Sequence, residues 1–404
     1  MEELMTTAFV DGPVITGTGQ ILEHATILVE DNKIVKVANG DINIPPRATK
    51  IPLNGMTLLP GFIDSHVHIC IDGSPDPLST TLKETQTTTT LKAAGFARCT
   101  LMAGVTTIRD MGGRNGIDLG IKEAINSGLI PGPRMLVSGQ LICMTGGHGW
   151  QIGFEANGPD EVRRAAREQI KAGADIIKLM ATGGVMTPSV EPGSEQFTVE
   201  EMQAGVEEAH KAGKKTATHA MGTRGIRNAL KAGIDSIEHG VYLDAETVAL
   251  MVERRVPLIP TVSALYHIVT KGVEAGIPDY AVEKTLAVKP HHLASIGLAR
   301  EAGVKIAMGT DAGTPFNLHG HNLNEVKLLV EWCDFSPMEA IESATRIAAE
   351  ALGLDNQIGT IAEGKLADLV LVAGNPLDDI DLLCNQENIH LVMQGGNLVK
   401  GSAA

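Results

Sequence analysis

Five times in this chain a helical stretch closes on Ala-Gly and hands directly to a short apolar run, in LMAGVTT, IKAGADII, HKAGKKTAT, LKAGIDSI and REAGVKIA. The glycine supplies the left-handed stop that ends a helix before a strand begins. A chain punctuated this way alternates helix and strand, the texture of a parallel sheet covered by helices. Eight apolar runs can be counted: FIDSHVHI (Phe62 to Ile69), VTTIRD (Val105 to Asp110), RMLVSG (Arg134 to Gly139), ADIIKLM (Ala174 to Met180), KTATHA (Lys215 to Ala220), DSIEHG (Asp235 to Gly240), PLIPT (Pro257 to Thr261) and VKIAMGTD (Val304 to Asp311). Eight is the number a (β/α)8 TIM barrel requires. An open doubly wound sheet usually has fewer strands and often carries a G-x-G-x-x-G turn after its first, which does not occur here.

The ends of the chain have a different texture. From Ala8 to Leu53 the segments are short and alternating, and ATILVE and KIVKVA are separated only by Asp31 and Asn32, a strong hairpin signal. LADLVLVAG and the IHLVMQ-GG-NLVKG hairpin repeat that texture near the C-terminus. Short strands need a partner sheet, so the expectation is an α/β protein in which residues 1–58 and 359–404 form one small β-sandwich and residues 59–358 the barrel.

A chain of 404 residues can bury an extensive core. Its formal net charge of −15 argues against nucleic acid and against an anionic membrane surface. No apolar run reaches the length of a membrane span, and the first twenty residues lack a basic stretch followed by an apolar one. The five cysteines are odd in number and scattered without C-x-x-C spacing, which indicates neither a disulfide framework nor a thiolate metal site. Reduced thiols in the cytoplasm fit best.

Chemistry enters at the carboxyl ends of the apolar runs. His66 and His68 close the first, Lys178 lies in the fourth, His219 in the fifth, His239 in the sixth, and Asp311 ends the eighth. Strand residues two apart point to one face, so His66 and His68 can aim at a common point, and in a barrel all these strand ends open on one mouth. An isolated H-x-H is more often a surface or turn pair. Five nitrogen or oxygen ligand candidates on four strand ends make a site for a borderline-soft ion such as zinc.

PGFIDSHVHI, THAMG, IEHGV and GTDAGTP resemble the motifs of the amidohydrolase superfamily of metal-dependent hydrolases, and TRIAAEALGLDNQIGTIAEGKLADLVLV is similar to the segment that leads from its barrel into its sandwich. DIIKLMATGGVMTPSVEPGSEQ and ICMTGGHGW look most like the branch of Xaa-Pro and Xaa-Arg dipeptidases and imidazolonepropionase-like enzymes. The resemblance implies two divalent metal ions, zinc in expectation. It implies His66, His68 and Asp311 as ligands of one, His219 and His239 as ligands of the other, and Lys178, N-carboxylated by carbon dioxide, as the bridge. A carbamate turns a poor zinc ligand into an anionic two-oxygen group able to span metals about 3.5 to 4 Å apart. Two such ions lower the pKa of a shared water toward neutrality and polarise a carbonyl, and Asp311 would take the proton and pass it to the leaving nitrogen.

On the substrate side, His148 in the loop Thr145 to Trp150 resembles the histidine with which the dipeptidase branch holds a substrate carboxylate. Tyr242 and Arg224 are further candidates for that carboxylate, arginine being apt for a bidentate hold, though Arg224 reads equally well as a surface residue. His319 and His321 form a second H-x-H, read here as a site wall or helix cap. The leading expectation is a cytoplasmic, homo-oligomeric dinuclear zinc enzyme that cleaves a dipeptide or N-acyl amino acid. A cyclic-amide or aryl-amide hydrolase is the alternative within hydrolases, and a non-catalytic barrel binding protein the alternative outside them.

Overall fold

The computed structural model describes residues 5–402. These fall into two compact units, one drawn from residues 5–64, Arg98–Thr107 and residues 320–402, the other from Ser65–Ala97 and Ile108–His319.

In the first unit the two ends of the chain share one eight-stranded sheet. Strands Thr6–Ile15, Ile21–Glu30 and Lys33–Asn39 run antiparallel, and the expected turn falls at Asp31 and Asn32, with Asp31 at φ 49°. Thr57–Pro60 lies beside Thr6–Ile15 and pairs antiparallel with Leu369–Val372, which pairs in turn with Ile389–Gln394, and that strand with Asn397–Lys400. These seven strands form one hydrogen-bonded path, the eighth, Thr49–Pro52, pairing parallel with Thr6–Ile15 off it, and the core draws Phe9, Ile27 and Leu58 from one end of the chain and Leu369, Leu391 and Met393 from the other.

The second unit carries the helix-strand alternation. Ile176–Met180, Lys215–Ala220, Ile237–His239 and Leu258–Ile259 are successive parallel neighbours, and Ile142–Cys143 and Phe154–Glu155 extend that sheet at one edge to six strands. Phe62–Val67, Val105–Asp110 and Arg134–Val137 form a separate three-stranded sheet. The eighth expected run, Val304 to Asp311, forms only an isolated bridge, Leu258 with Ile306. Its backbone nonetheless bonds both ways, Ala307 donating to Leu258 (3.0 Å) on one side and Ser65 donating to Met308 (3.0 Å) on the other.

All five Ala-Gly glycines adopt the left-handed conformation expected of a helix stop, Gly104 at φ 90°, Gly173 at 104°, Gly213 at 67°, Gly233 at 90° and Gly303 at 82°. No helix among the described residues is long and apolar enough to cross a membrane.

Leu369, Val370, Leu371, Val372, Leu391, Val392 and Met393 are all buried. At about 1.5–3 kcal/mol for each buried side chain their loss is worth roughly 10–20 kcal/mol, as much as the whole stability of a typical domain, about 5–15 kcal/mol. Deleting Ile361 to Ala404 is therefore expected to yield insoluble protein on expression. A soluble, cooperatively melting truncation would contradict the shared sheet.

Candidate metal centre

His66 Nε2 and His68 Nε2 each lie 3.5 Å from Asp311 Oδ1, and one ligand atom from each of the three residues falls within 4.8 Å of the others. The opposite nitrogen of each ring is spoken for. His66 Nδ1 is 2.8 Å from Glu238 Oε2, and His68 Nδ1 is 2.7 Å from the Gly112 carbonyl oxygen. A ring that donates from Nδ1 presents a neutral, acceptor Nε2, the form a metal needs. Burial first, and the nearby Lys178 charge after it, push His66 well below the ordinary histidine value, and burial takes His68 down to about 4.

Glu238 belongs to a buried network. Its Oε1 accepts from Arg109 (2.9 Å) and from Ser236 Oγ (2.7 Å), and Arg109 Nε donates to the Ser65 carbonyl at 2.6 Å. Sequence reasoning missed both residues. The available signal was a charge standing inside an otherwise apolar run, in VTTIRD and in DSIEHG.

A second pair of imidazoles stands beside the first. The His219 and His239 rings are 4.5 Å apart, and His66 lies 5.2 Å from His239. His219 Nε2 is engaged by the Gly183 carbonyl (3.1 Å) and His239 Nδ1 by Thr261 Oγ1 (2.7 Å), which leaves one nitrogen of each as a donor atom. Two nitrogens make an incomplete ligand set. Lys178 lines the same cavity, 1% exposed, and its Nζ is buried without a hydrogen-bond partner. An orphaned buried amine is costly as it stands, and burial brings Lys178 down to about 8, where a neutral, nucleophilic fraction is accessible near neutral pH. The donor set therefore fits a metal ion at His66, His68 and Asp311, with two further imidazoles and the Lys178 amine beside it.

His148 also faces this cavity. Its ring lies 4.4 Å from that of His219, Nδ1 is 2.8 Å from Thr187 Oγ1, and burial takes it down to about 3. A side chain at Gly184 would collide with the His148 imidazole, which explains a glycine there. Two other candidates lie elsewhere. Arg224, at the start of helix Thr223–Ala232, is 85% exposed and paired with Glu195 (2.9 Å). Tyr242 packs against His291 in a separate groove with Thr223 and Leu298. Neither lines the cavity that holds the histidines. His319 is buried, stacked on Phe96 at 4.7 Å, and holds the Ile71 carbonyl at 2.9 Å, so it supports the wall residue Ile71 from behind; His321 is exposed.

With that geometry in place, comparison with known proteins assigns the class. The chain belongs to the amidohydrolase family, whose model matches residues 57–399. It is 32% identical to ochratoxinase of Aspergillus niger across 99% of this chain and 88% of that protein. Among solved structures it is similar to a prolidase complexed with N-methylphosphonate-L-proline, with a TM-score of 0.92 and 31% identity over 98% of this chain and 100% of that one. A Xaa-Pro dipeptidase with methionine bound in its active site is similar at a TM-score of 0.89 and 35% identity, again over 98% and 100% of the two chains. These neighbours imply a TIM barrel with a small second domain and support a hydrolase acting on amide bonds.

Burial of so many imidazoles has a thermodynamic consequence. His66, His68, His148, His219, His239, His292 and His319 are all pushed down chiefly by burial, His292 and His319 to about 4. Below about pH 6.5 the unfolded chain takes up protons at these positions that the folded chain refuses. Stability is therefore present above pH 6.5 and lost as pH falls toward the folded values, by up to roughly 1.4 kcal/mol per pH unit for each group. Asp110, raised to about 6 by burial, and Asp118, also raised by burial, work the other way, since above about pH 4 they keep protons that the unfolded chain has lost. Seven groups against two leave the histidines dominant. The Tm of metal-free protein should fall steeply from pH 6.5 to 4.5, and His292→Gln, outside the proposed ligand set, should flatten that slope. A Tm independent of pH over this range would contradict a cluster of neutral buried histidines.

Proposed function

We propose that this protein is a dinuclear metal-dependent amidohydrolase that hydrolyses the amide bond of a dipeptide or an N-acyl amino acid. The observation that carries the reading is the convergence of His66, His68 and Asp311 beside His219 and His239, with the orphaned amine of Lys178 in the same cavity. In this reading residues 59–358 form the eight-stranded barrel, and residues 1–58 and 359–404 the flanking β domain. The enzyme is a cytoplasmic homo-oligomer.

His66, His68 and Asp311 would hold one ion, His219 and His239 the other, and Lys178, carboxylated by carbon dioxide, would serve both. Two such ions, zinc in this proposal, supply an acidified water and a polarised amide carbonyl. The protein supplies the rest. Glu238 and the Gly112 carbonyl fix the rings of His66 and His68. Asp311 takes a proton at its carboxylate and delivers it to the leaving nitrogen, which would otherwise depart as an unstable anion. Its backbone is held for that task by its own N–H donating to His66 (2.7 Å) and by Thr314 Oγ1 donating to its carbonyl (2.8 Å). His148, its Nδ1 2.8 Å from Thr187 Oγ1, would accept there in this reading and offer an Nε2 proton to the substrate carboxylate. The dipeptidase neighbour with methionine in its active site supports an amino acid as one of the products.

Protein produced with zinc and bicarbonate should contain two metal ions per chain by elemental analysis and turn over members of a panel of dipeptides and N-acyl amino acids. One ion or fewer per chain would refute the dinuclear site. Lys178→Ala should lose metal and activity, with partial rescue by short carboxylic acids that stand in for the carbamate. Asp311→Asn should abolish turnover while the melting profile stays cooperative, and a kcat within a few fold of the parent would remove its assigned role.

His148→Ala should cost roughly tenfold to a hundredfold in kcat/KM on substrates with a free carboxylate, the worth of a hydrogen bond to a charged group. Amidated substrates should change little. An equal loss on both would show that His148 does not read the carboxylate.

A further inference from the structure

We infer that the amide substrate presents uncharged, apolar side chains to the cavity wall, and that dipeptides with an arginine, lysine, aspartate or glutamate side chain are rejected. The inference rests on the amide hydrolysis proposed above and narrows its substrate class.

The argument comes from what the cavity wall contains and what it omits. Apart from the histidines, Lys178, Asp311 and Thr314, the wall is carbon and sulfur, with Leu141, Met180, Met186, Met221, Leu265 and Ile268 as its principal surfaces. Among the described residues no arginine, glutamate, asparagine or glutamine lines it, and Asp311 is the sole acid. That acid stands 3.5 Å from both His66 and His68 and is committed to them. A guanidinium or ammonium side chain pressed against the apolar wall would be stripped of water with no carboxylate there to receive it, and a carboxylate side chain would meet only neutral groups on that wall.

The wall is also a fixed surface. These six residues belong to one continuous buried cluster, so the substrate meets the packed core itself. The cavity opens to solvent at its mouth, and Leu141, Met180, Met186, Met221, Leu265 and Ile268 bound it together with the histidines. Three of the six are methionines, whose unbranched thioethers adapt to apolar groups of differing outline.

A nearby cation that could have served an acidic substrate is spent on the wall. Lys284 Nζ donates to the carbonyls of Thr187 (2.8 Å), Pro188 (3.2 Å) and Val190 (2.6 Å), and Tyr280 donates to the carbonyl of Met186 (3.4 Å). Lys284 is thus a positioning residue for the segment that presents Val185 and Met186 to the cavity, and it does not line the cavity itself.

The test uses the zinc-loaded protein and a matched panel, Leu-Leu, Phe-Leu and Met-Leu against Arg-Leu, Leu-Arg, Asp-Leu and Leu-Asp. The apolar members should exceed the charged ones by about a hundredfold or more in kcat/KM, as expected where a charge must be buried unpaired. Charged members within a few fold of the apolar ones would overturn the inference while leaving amide hydrolysis intact. Should the whole panel be inert with two metals bound, the proposed reaction fails, and calorimetry decides the inference separately. Free leucine, methionine or phenylalanine should bind at least tenfold tighter than arginine or aspartate, and equal binding would overturn it. Met186→Asp, with folding verified by its melting profile, should raise the relative kcat/KM for Leu-Arg or Arg-Leu tenfold or more. A folded variant with the parent's preference would show that Met186 does not face the substrate.

Discussion

The carboxylate of Glu238, wholly buried between Arg109 and His66, is the contact on which the centre depends. It is reached from three strands, through Arg109 in Val105–Asp110, His66 in Phe62–Val67 and its own position in Ile237–His239. Such a network adds little to net stability, because the cost of stripping water from Arg109 and Glu238 is of the same order as their attraction. Removing one partner is another matter, since it leaves the other charge buried alone, at about 3–5 kcal/mol. The network therefore acts as a constraint. It sets the distance between the three-stranded and six-stranded sheets and, through Oε2, decides which nitrogen of His66 looks into the cavity.

A second constraint is backbone strain at the strand ends. His239 (φ 71°), Thr261 (φ 57°) and Asp311 (φ 60°) all hold a left-handed conformation that costs a residue with a side chain of order 1–3 kcal/mol. Each lies where a strand stops and its chain turns away, and two of the three are joined, Thr261 Oγ1 to His239 Nδ1. The turn lets a ligand or its support leave the line of the strand and point into the cavity. The well-packed Met- and Leu-rich cluster around the cavity is what keeps these conformations from relaxing.

Much of this was legible in the residues because strand-end chemistry survives in a one-dimensional pattern. His66, His68, His219 and His239 interrupt apolar runs, and Ala-Gly stops mark where the runs of His219 and His239 begin. Glu238 and Arg109 were not legible, since a charge within a strand reads as a solvent-facing position until a neighbouring sheet is known to cover it. Arg224 shows the reverse failure. It lies close in sequence to His219, yet the helix that begins at Thr223 carries it outward to Glu195. The eighth run has the apolar content of a strand, but it turns out of line at Asp311 and holds each neighbour by only a pair of backbone bonds. The isolation of the Lys178 amine depends on every neighbour at once, which no motif records.

The sheet that joins the chain ends bears on how the molecule is made. The hydroxyl of Thr57 donates to the carbonyl of Gly374 across 317 positions of sequence, and the strand Thr57–Pro60 finds its partner Leu369–Val372 over a comparable span. A ribosome releases Thr57–Pro60 and the strands before it long before that partner exists, so their apolar edge must wait in the cell while the intervening positions, 317 between Thr57 and Gly374, are made. The helix-strand units between can meanwhile close over short distances, and once folded they shorten the gap that the two ends must bridge. The order of synthesis thus makes the terminal sheet the last part to form, and the newborn chain is most exposed to aggregation and chaperone capture at the strand Thr57–Pro60.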